Sequence, residues 1–177
     1  MKKKRAWFRQ KGEPQVSHHL TENTIAFLDA KDRNDALEHL VQTLYQSGKI
    51  QNPATFYHAI LGREKIVSTG IGMGVAIPHA KIPGVSSFSI ALGIQKGAGI
   101  EWKSLDRAPV RLIFMIVGPD NEQEKYLGIL SMVTDLVRNE TLRATLPTMK
   151  SASQVCRLLV KHEMSKDLQL SHFRCDY

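Results

Sequence analysis

Between Ser68 and Lys81 the chain reads Ser-Thr-Gly-Ile-Gly-Met-Gly-Val-Ala-Ile-Pro-His-Ala-Lys, and no other stretch restricts the fold as strongly. Gly70, Gly72 and Gly74 alternate, and each would cost a helix about 1 kcal/mol relative to alanine. Four positions on, Pro78 has no N–H, locks its own φ and steers Ile77 into the β region. The middle of the chain is therefore an extended path of small residues leading to one histidine, His79, whose backbone has little freedom left. A dinucleotide fingerprint needs a helix directly after its glycines, and Pro78 forbids that continuation. A Walker loop would need Gly-Lys-Ser or Gly-Lys-Thr, which is missing.

What such a segment suits is the display of an imidazole nucleophile. One ring nitrogen must be neutral and aimed outward, while the other is held by a hydrogen bond that sets the tautomer. Glycines beside the ring are expected to let a macromolecular donor approach closely, and their N–H groups to offer a concave site for phosphoryl oxygens. The other histidines, His18, His19, His39, His58, His162 and His172, form no H-x-x-x-H or H-E-x-x-H pattern, so neither a metal nor a cofactor is expected.

With 177 residues the chain is long enough for one core without disulfides or metals. Cys156 and Cys175 are far apart and form no C-x-x-C pair, which excludes a disulfide framework and points to a reduced, cytoplasmic protein. The net charge of +7 suggests nucleic-acid binding until it is located: Lys2, Lys3, Lys4, Arg5, Arg9 and Lys11 carry six of it, leaving +1 for residues 12–177. A domain so nearly neutral has no surplus basic face to track phosphates. The arm, with Trp7 and Phe8 among its cations, allows at most a weak, salt-dependent contact with a membrane surface or nucleic acid. No apolar run follows it, so it is not a signal peptide, and no stretch is long enough to span a bilayer.

Three units are expected: a basic flexible arm over 1–16, a domain over 17–162 and a tail over 163–177. Within the domain, Asn34 or Asp35 caps a helix with Leu37, Leu40, Val41 and Leu44 on one face and Gly48 as its stop. Asn52-Pro53 starts a second helix through Phe56, Ile60 and Leu61 that ends near Glu64 and carries Arg63 in its last turn. The alternating run Phe88 to Ile94 and the continuous apolar run Val110 to Val117 predict strands, the second of them central. Asp120 or Asn121 caps a helix with Leu127, Leu130, Val133, Leu136 and Val137 along one side, and Ser151 with Gln154 makes a capping box for a last helix through Leu159. No period continues from Glu163 to Tyr177. Helices before and after the strands give an α/β fold, a single layered domain with a mixed central sheet flanked by helices.

From about residue 20 to 160 the chain resembles the type-2 enzyme IIA domains of the bacterial phosphoenolpyruvate-dependent phosphotransferase system, the mannitol, fructose and nitrogen-regulatory group. The likeness is most specific from Ser68 to His79 and includes Leu61-Gly-Arg-Glu64. It implies that His79 accepts a phosphoryl group from the histidine-phosphocarrier protein and passes it to a regulatory target protein or a permease component. It also implies an active-site loop of Thr69, Gly70, Gly72, Met73, Gly74 and Pro78. Arg63 is then either a countercharge for the phosphoryl or a helix-end cation answering the dipole. Two positions depart from the family pattern: Met73 stands where asparagine is common, and Tyr126 where many members carry a second histidine. A phenol donates a hydrogen bond but does not become cationic, so Tyr126 stabilises a phosphoryl less than an imidazolium would, or is simply a half-buried helix residue. The segment looks closest to the nitrogen-regulatory branch, which favours a regulatory carrier. The alternatives are a regulator that binds partners without transferring phosphate and a sugar-uptake enzyme IIA of fructose or mannitol type.

Overall fold

The apolar run at 112–118 becomes the hub of a mixed sheet. In the computed structural model, which describes residues 15–172 and side chains as far as Lys166, the strands are β1 (Ile25–Leu28), β2 (Gly70–Gly72), β3 (Val75–Ala76), β4 (His79–Lys81), β5 (Ser89–Gln95) and β6 (Leu112–Gly118). Residues 1–14 of the expected arm and 173–177 of the expected tail lie outside the described residues. The sheet order is β1-β5-β6-β3-β2, with β4 also on β6, giving six strands. β5 and β6 are antiparallel, whereas β3 and β4 both run parallel to β6.

Along β6 the side chains alternate between two cores. Leu112, Phe114 and Ile116 join Val16, Ile129, Val133, Val155 and Leu159, while Ile113, Met115 and Val117 join Leu37, Leu40, Leu44, Phe56 and Ile60. A strand covered on both faces has no polar positions to alternate with, which is why it reads as one unbroken hydrophobic run. The first layer is built by α1 (Val16–His19), α4 (Gln123–Val137) and α6 (Ala152–His172), and the second by α2 (Arg33–Gln46) and α3 (Pro53–Ile66). A short α5 (Glu140–Thr145) packs at the end of α4.

Asn52 caps α3 as expected, its Oδ1 accepting from Thr55 N at 3.0 Å with Pro53 following. The cap of α2 is Asp32, not Asn34 or Asp35: its carboxylate accepts from Asp35 N at 3.0 Å, and Asp35 accepts in turn from Lys31 N at 2.9 Å. That reciprocal pair satisfies two donors and starts the helix earlier. α4 begins at Gln123 after Glu122, not at Asp120 or Asn121, and its inner face is Tyr126, Ile129, Val133, Leu136 and Val137. Leu127, expected inside, is 56% exposed. The ring of Tyr126 packs on Phe88 with centroids 6.2 Å apart, which turns the helix toward the aromatic side. Ser151 Oγ accepts from Gln154 N at 3.3 Å, but the Gln154 amide oxygen takes Lys150 N at 2.8 Å, so the box closes one residue early.

α6 does not stop where its period fades. Glu163 is 2% exposed, and its carboxylate accepts the backbone N–H of Val16 at 2.8 Å. An acid on the inner face disguises the helical pattern while pinning the first turn of α1. Neither β1, only four residues long, nor α5, capped by Asn139 on Leu142 N at 2.8 Å, is legible in the sequence reading.

Burial depresses the pKa of three histidines, His19, His79 and His162. The unfolded chain then takes up these protons near the ordinary value of 6.5, before the folded chain does, so stability rises with pH in that window. Urea midpoints are expected to fall from pH 7.5 to pH 5.5, above the carboxylate range. The fall should be shallower in His162→Gln, and an identical slope in that variant would contradict this assignment.

Candidate active site

His79 is placed by a strand that Pro78 interrupts. Val75 pairs with Leu112 and Ala76 with Ile113, then the ladder skips Pro78, which has no N–H, and resumes with His79 on Ile116, Ala80 on Val117 and Lys81 on Gly118. The gap is bridged from both sides: Ile77 N donates to Thr69 O at 3.0 Å, and Ile116 N to Pro78 O at 2.9 Å. Ala80 points into the α2/α3 core, so His79 and Lys81, on either side of it, face the α4 layer.

The imidazole Nδ1 lies 2.6 Å from the carbonyl oxygen of Ile77. A carbonyl only accepts, so this contact assigns the proton to Nδ1 and leaves the Nε2 lone pair free. Among the described residues Nε2 has no hydrogen-bond partner. Burial of the half-buried ring lowers its pKa most, the Ile77 carbonyl raises it, the Arg63 charge lowers it further and Glu64 raises it. The net effect is downward, which keeps the ring neutral at pH 7. A neutral imidazole with a fixed tautomer and one free nitrogen is the state a phosphoryl acceptor requires.

Tyr126 stands edge-on to His79, with ring centroids 5.8 Å apart and planes at 64°. Burial pushes its phenol up to about 12 against the opposing pull of Arg63, so it stays a neutral donor. Arg63 Nη1 donates to the Val67 carbonyl at 3.0 Å, closing the end of α3, while its charge reaches both His79 and Tyr126. Lys81 is the neighbour that sequence reasoning missed: its ammonium sits 5.5 Å from the Tyr126 ring centroid. The signal was there, since residues i and i+2 of an extended strand share a face.

The expected loop divides into two parts. Pro78 and, through its backbone, Thr69 belong to the mount of His79. The Thr69 side chain is buried elsewhere, its hydroxyl donating to Glu64, which also meets Arg33 at 3.7 Å, and accepting from Trp102 Nε1 at 3.4 Å. Gly72, Met73 and Gly74 are not beside the histidine: Val75 sits on Leu112 and His79 on Ile116, four residues or roughly 13 Å along β6. No glycine N–H cradle forms at His79. Met73 N instead donates to Asp106 Oδ2 at 2.7 Å. A Cβ at Gly70 would lie 3.0 Å from the Ser104 backbone, and one at Gly72 3.0 Å from the Asp106 carboxylate. These glycines admit the loop that carries Ser104 and Asp106.

The domain so described matches the family model "Phosphoenolpyruvate-dependent sugar phosphotransferase system, EIIA 2" over residues 18–162. The chain belongs to this family. It is 33% identical over 149 residues to the PTS system fructose-specific EIIABC component of Bacillus subtilis, covering 84% of this chain and 23% of that protein. Against the nitrogen regulatory protein of Escherichia coli it is 30% identical over 115 residues, 65% of this chain and 71% of the relative. The crystal structure of nitrogen regulatory protein IIA-Ntr from Neisseria meningitidis superposes with a TM-score of 0.75 at 27% identity, covering 81% of this chain and 98% of that one. This type-2 EIIA domain thus has the mixed α/β sheet expected of its family, and among the described residues no helix is long and apolar enough to cross a membrane.

Two outcomes are expected of the EIIA site. In an NMR titration the His79 ring should remain neutral below its ordinary pKa of 6.5, with the proton on Nδ1 throughout. Met73 and Gly74 have φ of 58° and 73°, the left-handed pair of a primed two-residue hairpin that asparagine-glycine fits best. Met73→Asn should therefore stabilise the domain by about 1 kcal/mol, a rise of about 2–4 °C in Tm. An unchanged or lower Tm would count against the turn as a source of strain.

Proposed function

We propose that this EIIA domain is a cytoplasmic phosphohistidine carrier, with Nε2 of His79 as the acceptor atom. The donor is the phosphohistidine of the histidine-phosphocarrier protein: its N–P bond breaks as the Nε2–P bond of His79 forms, and the reverse exchange passes the group to an acceptor. The observation that carries this reading is the Ile77 carbonyl on Nδ1, which fixes the tautomer and leaves the opposite nitrogen free. Support comes from Ile66 and Val67 at the end of the helix that carries Arg63, and Leu127 next to Tyr126 in α4, which are exposed apolar residues available to a protein donor. Arg63 and Tyr126 are the groups that meet the phosphoryl oxygens in this reading. The acceptor is a regulatory target protein, in keeping with the similarity to nitrogen regulatory proteins. The fructose-specific relative keeps a permease component as the alternative, and this chain spans only 23% of that relative's length.

A second reading, a module that binds partners without transferring phosphate, draws on Tyr126, whose phenol stays neutral where a charge would help most. Incubation with the general phosphotransferase proteins and labelled phosphoenolpyruvate separates the two. A carrier gives an acid-labile, base-stable modification that falls at least a hundredfold in His79→Ala. Equal labelling of that variant removes His79 from the reaction, and no labelling of the wild type, with partner capture retained, selects the binding module.

A further inference from the structure

Resting on that reading, we infer that Lys81 is the principal countercharge for the phosphoryl group on His79. A phosphoryl attached to imidazole nitrogen brings up to two negative charges to a half-buried site, and the groups around it are unequal in what they offer. Tyr126 gives a hydrogen bond but no charge, its phenol held near 12. Arg63 comes from α3, in the layer on the other face of the sheet from the one His79 and Lys81 share, and one of its five N–H groups holds the Val67 carbonyl. Lys81 shares the strand face of His79, two residues further along β4, and its ammonium lies over the ring of Tyr126, which itself stands edge-on to the imidazole.

What holds that ammonium makes it available. Its acceptors are Gln123 Oε1 at 2.5 Å and the Asp120 carbonyl at 3.4 Å, both neutral, and among the described residues it pairs with no carboxylate. A cation parked on neutral oxygens keeps its full charge for an incoming anion. Exchanging one neutral acceptor for a phosphoryl oxygen converts an ordinary hydrogen bond into a charge-assisted one. The Tyr126 ring stabilises the ammonium near the reacting nitrogen before the anion arrives. Lys81 would touch the phosphoryl itself beside the Tyr126 hydroxyl, and Gln123 would act as a positioning residue.

The test loads the full chain in two ways, through the phosphoenolpyruvate relay and with phosphoramidate, a small donor whose P–N bond breaks to release ammonia as Nε2–P forms. Phosphorus NMR then reads the second pKa of the phosphohistidine. Removing a nearby cation raises that pKa, so Lys81→Met should titrate about one unit above wild type and load roughly tenfold more slowly. Lys81→Gln should match it, and Lys81→Arg should restore both values, which loss of packing alone would not predict. A Lys81→Met phosphohistidine titrating with wild type overturns the inference, as does a larger shift in Arg63→Met. Loading by phosphoramidate alone defeats the carrier reading while leaving Lys81 measurable, and loading by neither donor overturns both.

Discussion

The contact on which the rest of the site depends is the one between the Ile77 carbonyl and His79 Nδ1, 2.6 Å apart and only two residues distant in sequence. Pro78, the residue between them, holds that geometry with a fixed φ and no N–H to leave unsatisfied. The turn alone would still be loose. It is β6 that fixes it, accepting β3 before the proline and β4 after it in one parallel register. β6 is itself immobilised because its alternate side chains lie in both hydrophobic layers. The tautomer of a single imidazole is thus set by the most deeply buried strand of the molecule.

How much of this could be read from residues alone depended on whether the signal was local. Asn52-Pro53 and the apolar run of β6 were legible because a cap and a doubly covered strand leave their mark on consecutive residues. The face of α4 was not, since Leu127-Leu130 and Tyr126-Ile129 are equally good helical spacings and only the partner Phe88 decides between them. Glu163 misled for the opposite reason: a buried acid looks like the end of an amphipathic helix until its partner, the N–H of Val16, is in view. At the site, His79 and the extended mount were legible from Pro78. The function of the glycines was not, because their neighbours Ser104 and Asp106 are more than thirty positions away in the chain.

The glycine hairpin and the histidine therefore answer different constraints although they are contiguous in sequence. Near the tip, Met73 adopts a left-handed φ of 58° and its N–H is held by Asp106, whose carboxyl is kept below its usual range by the N–H groups of Met73 and Ala108. Its lowered folded pKa means that this stabilisation is present above the ordinary carboxylate pKa and is lost as pH falls through the folded value. Acid thus loosens the turn before β3 through Asp106, a carboxylate remote from the imidazole that opens β4.

The electrostatics of the site follow from what its nearest aromatic residue is unable to do. On the proposed carrier reading a neutral nucleophile must meet an anion, and the product carries more charge than the starting ring. A neighbouring imidazole would answer by taking up a proton, coupling stabilisation to pH near neutrality. Tyr126, pushed up to about 12, has no such response, so any compensating charge must be permanent. Arg63 and Lys81 approach from different elements, α3 and β4, and would both be charged before a phosphoryl group arrived. The Arg63 charge lowers the basicity of the free ring, and on the proposed carrier reading the same charge would favour the phosphorylated one. Glu64 opposes Arg63 at the ring, and its carboxylate is itself held by Thr69 and Arg33. On that reading the site is pre-charged, and its response to an incoming anion does not wait on a proton.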